Sequence, residues 1–383
     1  MKICYSFFIL FFLYGQFLAA ADIGKIWPSE RSTWIDQEYG HRITQWTDHQ
    51  AKSWHLYFNI ETFIDSQHAI IISERNGVPN FYNLDLLTGN MIQMTDETTI
   101  RPYLVWHWPQ HQTLWYVNGN RIKALDTESL ECETIKTLPF VPYSMTVSCD
   151  ARNILVSADI GDKMNPRNIG PYAIFKVDAE TGEMTQISPP YGFVIGHLQA
   201  NPMDSSLLSY CWQHHSDEED AGVIGYTPIR IWWLNINGTA GGPVNPQPFG
   251  IHRTHEFWYY DGSRIGFSAR YKYGPHKGKQ FIGSCKPDGS DPWRCAAPVR
   301  YAHSQLYKDN RHWVTDIYDG MILTLLTIKE RKIDKVEKLF RHQSSWESQE
   351  SHPHPHFHPQ GKMIMFSSDR NGVPNVYSVE VEF

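Results

Sequence analysis

Charge is scarce in this chain. Only 20% of its 383 residues are Asp, Glu, Lys or Arg, and the formal net charge is −7. A chain short of positive charge is a poor partner for nucleic acid. An anionic ligand would need a local cluster of positive charge, a bound metal included. Long apolar runs are missing beyond the first 21 residues, so no later segment reads as membrane-spanning. Cysteine is sparse as well. The six residues include no Cys-x-x-Cys pair, which argues against zinc ribbons and thioredoxin-type chemistry. The sequence lacks a Gly-x-Ser-x-Gly elbow, a phosphate loop and a Gly-x-Gly-x-x-Gly turn. Those absences argue against the hydrolase, nucleotide-hydrolysing and dinucleotide-binding classes that use them.

The first residues have the form of an export signal. Lys2 is a short positive start, Cys4 to Phe17 is largely apolar, and Leu18-Ala19-Ala20-Ala21 offers small residues for cleavage. Tyr14-Gly15-Gln16 interrupts the apolar run and argues against a permanent anchor. The expected organisation is a signal peptide over 1–21 and one domain over 22–383, placed in the periplasm or secreted and not inserted in a membrane. Export permits disulfides. Cys132, Cys149, Cys211, Cys285 and Cys295 remain, and an odd number leaves at least one without an intramolecular partner. Cys285 and Cys295 flank the turn-rich Lys286-Pro287-Asp288-Gly289-Ser290-Asp291-Pro292 and could bridge a hairpin.

Aromatics make up 14% of the chain, with 14 Trp, 26 Gly and 23 Pro. That mix favours an all-β fold. Two segments nearly repeat. His68–Asp85 and Lys362–Glu380 each read as strand, Arg-Asn-Gly turn, strand. Weaker copies are Thr113–Leu125, Asn153–Val177, Ser206–Asn235, Arg264–Lys286 and His312–Ile328. Seven units at a period of roughly 40–50 residues predict a seven-bladed β-propeller. The last unit ends on its third strand at Phe383. Arg42-Ile43-Thr44-Gln45-Trp46-Thr47 resembles the missing fourth strand, so an N-terminal strand is expected to close the ring.

The densest chemical signal is Gln349-Glu350-Ser351-His352-Pro353-His354-Pro355-His356. In an extended segment His352 and His354 would share a face, and Gln349 can bring a carbonyl oxygen to the same place. Such a tract reads as a metal site or as a solvated surface run. Further histidines recur just before or early in the units: His55, His197, His255 and His303. A lone histidine is usually structural, but a ligand set needs this kind of convergence from successive blades. Arg230 lies in the apolar run Pro228-Ile229-Arg230-Ile231-Trp232-Trp233. It is either half of a salt bridge inside a blade or a clamp for a substrate carboxylate. The acidic run Asp217-Glu218-Glu219-Asp220 reads as a solvated loop, and Asn237-Gly238-Thr239 as a sequon placed in a turn.

Thr254-His255-Glu256-Phe257-Trp258, Ser345-Trp346-Glu347 and Gln349-x-x-His352-Pro353-His354-Pro355 together resemble the oligogalacturonate lyases, pectin-degrading seven-bladed propellers. The likeness runs from about Arg42 to Phe383. It implies a manganese site at His303, Gln349, His352 and His354, a general base at His255, and Arg230 at an anionic oligosaccharide substrate. It implies β-elimination from short oligogalacturonides to unsaturated uronate products, assisted by Mn2+ or a similar divalent ion. Three features depart from the family pattern. The loop between Ser-Trp-Glu and Gln349 is short, Ser348 stands where members can carry Arg, and the leader is absent from cytoplasmic members. A non-catalytic TolB-like propeller and a lyase for another uronate glycan are the competing readings.

Overall fold

The computed structural model describes residues 22–161, 171–213, 230–244, 251–272 and 274–383. The leader and the acidic run Asp217–Asp220 lie outside the described residues. Seven antiparallel sheets follow one another along the chain, five of four strands and two of five. Each is a blade whose innermost strand comes first, apart from the N-terminal strands added to the outside of the first and last. The inner strands are Ser53–His55, Ile100–Trp108, Ser144–Val147, Val194–Ala200, Ile251–Trp258, Tyr301–Leu306 and His356–Phe357.

The middle strands explain why the repeats read as continuous apolar runs. Ala69-Ile70-Ile71-Ile72, Ile154-Leu155-Val156 and Ile364-Met365-Phe366 are buried on both faces, because each blade is sandwiched between two others. Outermost strands such as Cys132–Thr137 and Lys332–Arg341 are largely exposed and correspondingly polar. All seven segments singled out by repetition contain the two middle strands of a blade, or most of them. In the two strongest copies the turn glycines have φ of 100° (Gly77) and 91° (Gly372). Their amides bond back to Glu74 and Asp369 at 2.8 and 2.7 Å. An L side chain would be strained there, which is why Arg-Asn-Gly recurs.

The ring closes as expected. Arg42–Gln45 pairs with Asn375–Glu380 in the register Ile43↔Val379, Thr44↔Ser378, Gln45↔Tyr377. Ser32–Ile35 adds a further strand outside it, and Ile26–Trp27 extends the first blade. Trp46 donates to Ser378 Oγ at 2.9 Å and packs with Phe63, Tyr82, Met365 and Val376, so this segment joins the last blade to the first. Ile43 is wholly buried among Leu339, Phe340, Phe366 and Val379. Ile43→Ala is expected to cost about 2–5 kcal/mol of stability in chemical denaturation. A loss below about 0.5 kcal/mol, the size of an ordinary surface substitution, would show that this strand does not help hold the ring.

The proposed Cys285–Cys295 bridge is not formed, and all five described cysteines are free. The register explains it. Cys295 lies opposite Ile282, three positions from Cys285 on the neighbouring strand. At the usual strand rise that is about 10 Å along the sheet, too far for a disulfide. The Asn237 sequon does occupy a turn, between Ile231–Asn235 and Gly241–Pro243.

Candidate active site

Three inner strands are interrupted at the same place, and a histidine sits in each interruption. The pairing jumps from Gly196 to Gln199 around His197, from Thr254 to Phe257 around His255, and from Tyr301 to Ser304 around His303. A bulge breaks the in–out alternation and re-aims the side chain it carries. His197 and His255 adopt φ of 49° and 54°, a region non-glycine residues rarely occupy and one that clusters at functional sites.

His352 and His354 arrive from the last blade, but not along an extended segment. Gln349–Ser351 is a single 3-10 turn, and His352 follows it in extended conformation (φ −71°, ψ 139°). His354 then turns left-handed (φ 45°) before the short strand His356–Phe357. The rings converge through that kink rather than through strand alternation. His55 braces the kink. Its Nε2 lies 2.7 Å from the His354 carbonyl, and its Nδ1 lies 2.7 Å from Ser367 Oγ. Burial pushes the His55 imidazole down to about 3, so it stays neutral as a structural brace and is not one of the converging ligands.

One ring nitrogen from each of His303, His352 and His354 lies within 4.8 Å of the other two. Ring centroids are 4.3 Å apart for His303 and His354, 5.4 Å for His303 and His352, and 5.5 Å for His352 and His354. Nδ1 of His303 is 2.9 Å from the wholly buried Asp316, whose other oxygen accepts the His303 backbone N–H at 2.7 Å. That pairing directs Nε2 into the cluster. Nδ1 of His352 and Nε2 of His354 are buried without a hydrogen-bond partner. Burial, aided by the neighbouring His303, holds both rings below the ordinary histidine value, so they are neutral near pH 7. Neutral imidazoles with buried free nitrogens fit a divalent cation, and leaving them unmatched would cost about 1–3 kcal/mol each. Trp346 stacks on His303 at 5.8 Å and Tyr57 packs on His354 at 4.5 Å, fixing the rings from either side. Because a buried carboxylate orients a ligating imidazole, Asp316→Asn is expected to weaken metal binding about 10–100-fold. Unchanged affinity in a calorimetric titration would rule that role out.

His255 stands beside this cluster, its ring 4.5 Å from that of His303. Its Nδ1 is 3.2 Å from both Ser268 Oγ and Thr254 Oγ1. Burial, with His303, Arg230 and His197 nearby, lowers its pKa well below the ordinary value. Arg230 Nε lies 3.3 Å from Glu256 Oε2, so the salt bridge envisaged within a blade is instead made across to the next blade. Burial raises the Glu256 carboxyl, but Arg230 and His197 outweigh it and leave the group ionised.

Gln349 lines the wall of an adjoining cavity of about 250 Å³ with Tyr57, Tyr103, Trp106, His197 and Gln213. Its backbone carbonyl accepts the His352 N–H at 3.2 Å. Ser351 Oγ closes the 3-10 turn, accepting the Ser348 backbone N–H at 3.2 Å and donating to the Ser348 carbonyl at 2.8 Å. Four of the sequence candidates, His255, His303, His352 and His354, therefore meet directly. Arg230 and Gln349 border them, His197 lies next to Arg230's partner Glu256, and His55 stands behind. Asp316 and Glu256 escaped sequence reasoning as participants. A buried carboxylate in the apolar strand His312–Ile317 was the available hint.

The sequence profile of the oligogalacturonate lyases matches residues 22–382. The chain belongs to the oligogalacturonate lyase family. An oligogalacturonide lyase of Pectobacterium atrosepticum is 25% identical over 391 residues, covering 92% of this chain and 97% of the relative. An oligogalacturonate lyase of Dickeya dadantii is 24% identical over 383 residues, covering 91% and 95%. Among solved structures, an oligogalacturonate lyase in complex with manganese has a TM-score of 0.82 at 24% identity, covering 94% of this chain and 98% of that one. The oligogalacturonate lyase of Vibrio parahaemolyticus has a TM-score of 0.82 at 22% identity, covering 94% and 99%. These structural likenesses establish the propeller of this lyase-family chain, whose site geometry stands on its own residues.

Proposed function

We propose that this chain cleaves short oligogalacturonides by β-elimination, with a manganese-class divalent ion held by His303, His352, His354 and Gln349. The observation that carries the proposal is the convergence of two buried imidazoles and a half-buried one, each with a nitrogen to offer, directly beside His255. Three neutral nitrogens and an amide oxygen leave the ion its full charge, and an N/O donor set suits manganese. When bound, the ion supplies Lewis-acid stabilisation of the negative charge that develops at the uronate carboxylate.

The protein's own groups do the rest. His255, neutral because burial disfavours its charged form, accepts the proton from the carbon bearing the carboxylate. Electrons left on that carbon form the double bond as the bond to the neighbouring glycosidic oxygen breaks, and that oxygen leaves with the bonding pair and takes a proton from water. Thr254 and Ser268 hold Nδ1, which orients the ring and leaves Nε2 as the base. Arg230 is held along one edge by Glu256 and presents a fixed positive charge to the carboxylate. The cavity lined by Tyr57, Tyr103, Trp106 and Gln349 offers aromatic faces and polar tips to the sugar rings.

Digalacturonate added to the purified protein with manganese should raise the ultraviolet absorbance of an unsaturated uronide. No absorbance change with any of a panel of uronides, metal supplied, would refute the lyase reading. Export to the periplasm or medium is proposed from Lys2, the apolar stretch that follows it and Leu18-Ala19-Ala20-Ala21. Amino-terminal sequencing of the mature protein should begin at Asp22, and a retained Met1 would refute processing there.

A further inference from the structure

A second group of ligand-type side chains lies next to Arg230. His197, Cys211 and Glu256 come from three different strands, and one ligand atom from each lies within 4.8 Å of the other two. Cys211 and Glu256 are wholly buried, while His197 opens onto the cavity it shares with Gln213. Glu256 Oε1 and His197 Nδ1 are 3.4 Å apart, ion-pair distance but without a well-formed hydrogen bond, and the Cys211 thiol lies against the same carboxylate. Buried polar atoms matched this loosely beside a thiol gain from a ligand that bonds all three. The other carboxylate oxygen of Glu256 is already engaged by Arg230 at 3.3 Å, so Oε1 is the atom left to face the group. Cys211 Sγ also lies 3.4 Å from Gln213 Oε1, which reaches the cluster from the cavity side.

We propose that Cys211 Sγ, His197 Nδ1 and Glu256 Oε1 form a second metal site, selective for a thiophilic divalent ion of the zinc class. It is separate from the three-imidazole centre and does not depend on the lyase reading. Sulfur, nitrogen and carboxylate oxygen are the three zinc donors, and a thiolate selects against manganese. Tetrahedral ligation at about 2.0–2.3 Å puts donor atoms roughly 3.5 Å apart, the spacing that His197 Nδ1 and Glu256 Oε1 already have at 3.4 Å. Cys211 is protonated when free, because burial raises its pKa; the incoming ion forms the metal–sulfur bond and the thiol proton leaves to solvent. The thiolate and the Glu256 carboxylate together balance the two charges of the ion, and Arg230 keeps its contact with Oε2. Gln213 stands at the open side, where it or a water completes the fourth position.

The two centres are distinguishable by sulfur. Cobalt(II) added to the full chain should occupy both, and only the Cys211 centre yields a thiolate-to-metal charge-transfer band. The band and a stoichiometry of two ions per chain are expected for the wild type. Cys211→Ser should abolish the band and reduce the stoichiometry to one, whereas His352→Ala should keep the band. Absence of the band in the wild type, its survival in Cys211→Ser, or its loss in His352→Ala would overturn the proposal. Anomalous diffraction at the zinc edge from zinc-soaked wild-type crystals gives a test without substitution. A peak between Cys211 and His197 supports the site, and a peak at the three-histidine centre alone refutes it. In that case the cluster is only a polar anchor for Arg230.

Discussion

His255→Ala is expected to lower kcat on digalacturonate by about 10²–10⁴-fold, the usual worth of a positioned general base, without loss of the bound ion. The proton beside a uronate carboxylate is weakly acidic, so its removal needs a base at the reacting carbon in the right protonation state. His255 is held by Thr254 and Ser268 in a bulge that turns it toward the cluster, and it touches the metal-site ring of His303 without sharing its carboxylate partner. Removing it deletes the base and leaves His303, His352 and His354 intact. The fall should therefore be in kcat, with KM and metal content little changed. The pH profile follows from the same environment. The base acts deprotonated, and burial lowers its pKa well below 6.5, so activity should persist as pH falls through 6.5 and decline only below it. A nearby bound dication lowers it further in the same direction. A drop in kcat under about 10-fold would remove His255 from the role of base.

His354→Ala should cost more, since it removes the ion together with the activity. His354 is buried, its ring lies nearest to that of His303, and its Nε2 has no other partner. With it gone, two imidazoles and the amide of Gln349 remain, too few donors to compete with water for a divalent ion. The expected result is metal content near zero by elemental analysis and turnover at background, matched by chelation of the wild type and reversed there by added manganese. Folding should survive, because His354 lies outside the strand ladder and the blade pairing through Met363–Ser368 does not use its side chain. Retention of one ion per chain in His354→Ala would show that the centre lies elsewhere.

Much of this molecule was legible in one dimension. The Arg-Asn-Gly turns betray the repeat because a left-handed position needs glycine every time it recurs. Continuous apolar triplets such as Ile70-Ile71-Ile72 mark strands covered on both faces. The closing strand could be read from Arg42–Thr47 because the final unit was one strand short. The histidine tract stood out by composition. The same reasoning failed at Cys285 and Cys295, where proximity across a hairpin was inferred without the register that separates them. It also failed to sort the histidines. His55 and His197 looked equivalent to His303, yet one braces a loop and another faces a carboxylate.

Local patterns thus determined the all-β class, the number of blades, the closure and the residue types available for chemistry, since periodicity and turn preference act between neighbours in the chain. Only the tertiary structure decided which imidazoles meet. That outcome depends on bulges in three inner strands, a left-handed kink at His354 and a buried aspartate one strand away from His303. Each of these is set by packing between blades. A single extra residue in a strand turns a side chain from a blade interior to the channel, and no propensity along the sequence reports that turn.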